Sequence, residues 1–181
     1  MFINDVDLHA QGKTQFIDDL PEALNLLHVY PVVSTLAHAV IININIDSAL
    51  HSVGVVSVLL TKDIKGINNI GNIETAEVLL ANEKVVYQGQ PLALVVANTA
   101  ENARLAAKRV HVQYEELPAV FDARDAYTQG LEISPARIFS LGDVQSTWQA
   151  CDVVVEGSSS TGAQEHSYLE TQVAIAYPTE N

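Results

Sequence analysis

Pro91-Leu-Ala-Leu-Val-Val-Ala-Asn-Thr-Ala-Glu-Asn-Ala-Arg-Leu-Ala-Ala-Lys-Arg-Val-His-Val-Gln-Tyr114 reads as a strand, a helix and a second strand in immediate succession. Leu92 to Ala97 is an unbroken apolar run, the pattern of a strand covered on both faces. Pro91 stands at its start, where a missing N–H is tolerated. Asn98 with Glu101 three residues on approximates a capping box, and Ala103, Ala106, Ala107 and Val110 recur on one helical face. Lys108 and Arg109 suit the negative end of that helix. Val110, Val112 and Tyr114 then alternate with polar residues at a period of two. Two strands separated by one amphipathic helix predict a layered α+β, mixed α/β fold.

The same order occurs upstream. Leu26 to Tyr30 reads as a first strand, and Val40, Ile42, Ile44 and Ile46 alternate with Ile41, Asn43 and Asn45 in a second, whose even-numbered face is predicted to be buried. Asp47 or Ser48 can cap a short helix ended by Gly54, and Val55 to Leu60 is apolar enough for an inner strand. Two such units imply a mixed sheet, with right-handed crossovers wherever the joined strands are parallel. Residues 61–83 show no sustained period and predict an extended excursion, of the kind that is usually functional or interfacial. Val85-Val86-Tyr87 then bends at Gly89-Gln90-Pro91 into the opening stretch.

Downstream, Glu115-Glu-Leu-Pro118 closes the core. Asp122 caps a helix ended by Gly130, and Ser134-Pro135 reads as a connection, which puts a domain boundary between residues 1–135 and 136–181. Gly142-Asp143 starts a further helix with Val144, Trp148 and Cys151 at helical spacing. Val153 to Val155 reads as a buried strand, and Val173, Ile175 and Tyr177 alternate as another. Between these lies Thr161-Gly-Ala-Gln-Glu-His-Ser-Tyr-Leu-Glu-Thr-Gln172, a polar cluster at a strand boundary. Gly162 admits close approach of another group to the backbone, and Gln164 offers an acceptor and a two-proton donor.

Composition narrows the chemistry. Nine Lys and Arg against 22 Asp and Glu leave a net charge of −13, which repels phosphate backbones and anionic lipid, so nucleic acid is not an expected partner. No apolar run approaches the roughly 20 residues of a membrane span, and Met1-Phe-Ile-Asn-Asp lacks the basic start of a signal peptide; the chain is expected to be soluble and cytoplasmic. One cysteine, Cys151, forms no internal disulfide and cannot alone hold an iron–sulfur cluster; its setting predicts a buried structural residue. The six histidines lack zinc-ligand spacing, and His28 and His111 fall within strand runs as hydrogen-bonded structural residues. Glu115 and Glu116, adjacent on a strand, point to opposite faces and form no acid/base pair. No nucleophile elbow, P-loop or dinucleotide fingerprint occurs.

Gly162-Ala-Gln-Glu-His-Ser-Tyr-Leu-Glu-Thr171 resembles the Gly-Gln-Glu-His-Phe-Tyr-Leu-Glu-Thr motif of the molybdopterin-binding subunit of xanthine dehydrogenases, in the molybdenum hydroxylase family. Three further stretches agree in order: Gly12-Lys-Thr-Gln-Phe-Ile-Asp-Asp-Leu-Pro21, Asn68-Asn-Ile-Gly71, and Val86-Tyr-Gln-Gly-Gln-Pro-Leu-Ala-Leu-Val-Val96 continuing to Tyr114-Glu-Glu-Leu-Pro118. The resemblance implies an α/β hammerhead domain over residues 1–135, followed by the first elements of the molybdopterin-binding domain. It implies molybdopterin near Gly162, Ala163 and Gln164, with Gln164 hydrogen-bonding toward an oxygen on the molybdenum from outside its ligand set. Ala163 and Ser167 replace the Gly and Phe usual in the motif. Glu165 and Glu170 are expected to be structural. No catalytic residue is expected in this chain, because the family's catalytic carboxylate, substrate arginine and glycine-rich cofactor contacts lie beyond the motif. FAD and [2Fe–2S] clusters would sit on other chains or domains of an oligomeric complex acting on a purine. An aldehyde oxidoreductase of the same family, and a non-catalytic hammerhead interaction module, are the alternative readings.

Overall fold

The computed structural model describes residues 5–71 and 77–178. In chain order its elements are α1 (Asp5–Ala10), β1 (His28–Val33), β2 (Ala39–Asn45), α2 (Asp47–Leu50), β3 (Val55–Leu59), β4 (Lys84–Val85), β5 (Pro91–Ala97), α3 (Ala100–Ala107), β6 (His111–Glu116), α4 (Ala123–Thr128) and α5 (Val144–Gln149), with short 3₁₀ turns at Ile17–Asp19 and Thr61–Asp63. Contacts divide the chain into two units, one of Leu24–Arg137 and one of the described parts of Met1–Ala23 with Ile138–Asn181.

The unit Leu24–Arg137 holds two three-stranded sheets, ordered β1-β5-β3 and β4-β2-β6. Every strand pair is antiparallel. The mixed α/β class is as expected, but neither strand-helix-strand unit is a crossover within one sheet. α2 leads from β2 in one sheet to β3 in the other, and α3 leads back from β5 to β6. Each helix is therefore a connector between layers.

β5 is the middle strand of its sheet, and Leu92, Ala93, Val95 and Ala97 on it are fully buried, as its unbroken apolar run predicts. Ala103, Ala106 and Ala107 are the buried face of α3. Their small side chains bring the helix axis close to Val32, Val95 and Val110 in the larger core. A second core joins Ala39, Ala81, Val85 and Leu92, and Ile44 and Val112 pack against both. The helix start differs from the sequence reading by one residue. Thr99, not Asn98, is the cap, its Oγ1 accepting from the Asn102 N–H at 3.1 Å; Asn98 accepts instead from the Asn102 side-chain amide at 2.9 Å.

Three strand readings are corrected. The first strand runs from His28 through Pro31 to Val33, further along the chain than Leu26 to Tyr30; β1 lies at a sheet edge, where a residue without N–H is tolerated. β3 is also an edge strand rather than an inner one. In β2 the ladder with β6 shifts between Ile41 and Asn43, a bulge at Ile42. A bulge exchanges the faces on either side of it, so Ile41 and Ile44 both reach the second core while Ile42 is exposed. The short helix begins at Asp47 itself, with Asn45 Oδ1 accepting its N–H at 3.0 Å.

The described part of the 61–83 excursion carries little regular structure, as expected; residues 72–76 lie outside the description. The Asn68 side chain binds both sides of Leu80, donating to its carbonyl at 2.7 Å and accepting its N–H at 3.0 Å. That pair holds the far end of the excursion to the core, where Leu80 and Ala81 are buried. α4 starts under the Asp122 carboxylate, which accepts from the Arg124 and Asp125 N–H groups, as read from the sequence.

In the other unit α5 is capped by Asp143, which accepts from the Ser146 hydroxyl and from its N–H. The Ser146 hydroxyl, with that N–H, holds the Asp143 carboxyl below the usual carboxylate range. Val153 to Val155 and Val173 to Tyr177 are not strands, and most of their side chains are exposed. Alternation supplies a face, but a strand also needs a partner ladder for its N–H and C=O groups, and no described residues provide one. Cys151 is exposed rather than buried, with Sγ 3.2 Å from the Thr147 carbonyl. His28 and His111 open β1 and β6, but neither ring has a hydrogen bond among the described residues; His111 is exposed and His28 half-buried.

Candidate cofactor-binding segment

The polar cluster at residues 161–172 is exposed, apart from the half-buried Glu170. Its two carboxylates are turned onto backbone donors. Glu170 Oε1 accepts the Ile17 N–H at 2.6 Å, and Glu165 Oε1 accepts the His166 N–H at 3.0 Å. Glu170 thus ties the motif to the stretch Gly12 to Pro21 across 153 residues of sequence. No local pattern announces that contact, because its two halves are fixed by different parts of the chain. The His166 and Tyr168 rings stack with centroids 5.5 Å apart, on either side of Ser167, whose backbone takes φ +50°.

The Gln164 amide has no hydrogen-bond partner among the described residues and faces solvent, as do the Ser167 hydroxyl and the Gln172 amide. A Cβ built on Gly162 would meet no atom within 4 Å, so close approach to the backbone is open there. With one oxygen of each carboxylate engaged, Gln164 offers a neutral amide with two protons to donate. This donor set fits a hydrogen-bond-accepting, anionic group such as an oxo-metal pterin. Among the described residues no group of three His, Cys, Asp or Glu side chains is placed to hold a metal directly. Gly162, Ala163 and Gln164 are brought together by adjacency alone; among the described residues no other element of the unit closes over them.

The family described as "Aldehyde oxidase and xanthine dehydrogenase, a/b hammerhead domain" matches residues 11–118. The chain belongs to that family. Residues 131–181 match the "Molybdopterin cofactor-binding domain" family, so the hydroxylase segment carrying Gln164 falls in the cofactor-binding part. Rice xanthine dehydrogenase is 36% identical over 177 residues, covering 96% of this chain and 13% of the relative. Aldehyde oxidase 4 of Cavia porcellus is 38% identical over 171 residues, covering 94% and 12%. Among solved structures, the aldehyde oxidoreductase from Desulfovibrio desulfuricans superposes with a TM-score of 0.61 at 30% identity, over 75% of this chain and 16% of that one. The CO dehydrogenase from Oligotropha carboxidovorans gives 0.60 at 33%, over 67% and 15%. This member of the molybdenum hydroxylases therefore spans about an eighth of the length of those curated relatives. Among the described residues no helix is long and apolar enough to cross a membrane.

Proposed function

We propose that this chain acts as the N-terminal part of the molybdenum-binding subunit of a xanthine dehydrogenase-type enzyme, which hydroxylates a purine with oxygen drawn from water. The observation that carries the reading is the order of the two family matches, hammerhead then cofactor-binding domain, with the unpartnered Gln164 amide inside the second. The domains divide at about residue 135, in the connection between α4 and α5. Bound molybdopterin supplies the redox chemistry. The chain's own part is to orient that group: Gln164 donates a hydrogen bond to it, and Gly162 and Ala163 leave the backbone accessible. Iron–sulfur clusters and FAD on other domains take up the electrons, in a cytoplasmic complex. An aldehyde oxidoreductase activity is the second reading, favoured by the equal identity to an aldehyde oxidase.

The test is Gln164→Ala in the assembled subunit, with molybdenum content and steady-state oxidation of xanthine and of benzaldehyde measured side by side. Activity per bound molybdenum should fall by about 10- to 100-fold, the usual cost of losing an outer group that tunes a metal centre. The folding stability of the isolated chain should move by less than about 0.5 kcal/mol, as at other exposed sites. Activity unchanged within about twofold would remove Gln164 from the cofactor site, and oxidation of the aldehyde alone would decide for the second reading.

A further inference from the structure

Ile17 and Glu170 lie in the same unit, although the first falls in the hammerhead family match, residues 11–118, and the second in the cofactor-binding match, residues 131–181. Ile17 opens the 3₁₀ turn Ile17–Asp19, and an N–H at such a position has no acceptor within its own turn. Glu170 Oε1 supplies one at 2.6 Å, a charge-assisted bond between two half-buried residues. On the Ile17 side the chain is fastened to α1. The Lys13 N–H donates to the Leu8 carbonyl at 2.9 Å, Thr14 Oγ1 lies 2.9 Å from His9 Nδ1, and the Phe16 and His9 ring centroids are 6.4 Å apart. On the Glu170 side, the bond from the His166 N–H to Glu165 Oε1 and the stack of His166 on Tyr168 bracket the left-handed backbone of Ser167. Gln164 stands directly before these contacts, and its side chain makes no hydrogen bond of its own among the described residues.

We propose that Glu170 is a positioning residue for Gln164: its bond to the Ile17 N–H seats the Gln164 segment on residues 12–20 and so fixes where the amide presents its protons. The inference rests on the functional reading above. An amide without partners takes its place from the backbone that carries it, and residues 161–169 are exposed throughout. Glu170 is where that segment becomes half-buried, and its carboxylate reaches across 153 residues of sequence to a stretch with contacts of its own. The Glu165 carboxylate, by contrast, bonds the N–H of the next residue and fastens the segment to nothing outside itself. Glu170 acts through Gln164 and touches neither cofactor nor substrate in this role. Such a role can carry a large effect, because a misplacement of about 1 Å caused far from the reacting atoms can cost about 100-fold in rate.

The contact is read first in the 181-residue chain, by amide hydrogen exchange at Ile17. Glu170→Ala should speed that exchange by about tenfold or more, and Glu170→Gln, which keeps a carbonyl acceptor of the same reach, should restore most of the protection. Ile17→Pro removes the same bond from the donor's side. Proline is tolerated at the first position of a helical turn, and Phe16 before it is already extended, with φ −97° and ψ 170°. The role is then read in the assembled enzyme, per bound molybdenum, with the substrate the parent oxidises, xanthine or benzaldehyde. Glu170→Ala and Ile17→Pro should each lower kcat by about tenfold with KM within about twofold, and Glu170→Gln should recover most of the loss. In a Gln164→Ala background neither should lower kcat by more than about a further twofold, because the residue they place is gone. Unchanged Ile17 exchange in Glu170→Ala, a loss confined to molybdenum content with kcat kept, or an equal fall of kcat in the two backgrounds would overturn the proposal. A Gln164→Ala enzyme as active as the parent would remove the functional reading first, and this inference with it.

Discussion

At Gly54 the backbone takes φ +74°, and a Cβ there would run into the side-chain amides of Asn98 and Asn102. Gly54→Ala should therefore lose at least about 1 kcal/mol through the left-handed backbone alone, and more through displacement of Asn98, whose N–H also binds the Gly54 carbonyl at 2.9 Å; urea denaturation of the isolated chain would measure it. Gly162→Ala should stay within about 0.5 kcal/mol, since nothing lies near it. Gly54 was legible as a helix stop because such glycines answer to local backbone geometry. The need for a small residue at Gly162 answers to whatever approaches it, and no described residue does. Cys151 fails as a buried residue for a related reason: its apolar neighbours Val153 to Val155 are themselves exposed.

Helix caps are the most local of elements, and Thr99 and Asp143 each bond an N–H three residues on. Thr99→Ala should cost about 1 kcal/mol by removing the Oγ1 acceptor, whereas Asn98→Ala should cost less; comparing the two thermal midpoints checks the assignment. For Asp143 the folded-state value lies below the unfolded one, so its contribution to α5 is fully present above the ordinary carboxylate value of 3.8. It is lost as the pH falls through the lower folded value. The amide resonance of Ser146 should titrate in that acidic range, and Asp143→Asn should abolish the titration while keeping the cap. Strands were less legible than helices. β5 declared itself by an unbroken apolar run, but β2 hides a bulge at Ile42 that reverses its apparent faces, and β3 carries an inner strand's composition at an edge. Pairing between distant segments decides both, and alternation within one segment does not contain it.

The two units should differ in resistance to cleavage. Limited proteolysis is expected to cut first between residues 138 and 178, where apolar side chains are exposed and regular structure is sparse, and last between Leu92 and Val112, the heart of both cores. A product close to Leu24–Arg137 should persist and give a cooperative thermal transition, since a domain of that size sustains its own core. The antiparallel pairings of that unit have one further consequence, for the order of events in time. No strand pair is joined by a tight turn. β1 and β3 wait for β5, and β2 waits for β4 and β6, so the closest partner of β1 lies about 60 residues downstream. At synthesis rates of about 5–20 residues per second, the apolar strand His28–Val33 leaves the ribosome some 3 to 12 seconds before it can be paired. Neither sheet can close by local steps, which places this unit among slow folders of high contact order, whose unpaired strands stay exposed while the chain is still being made.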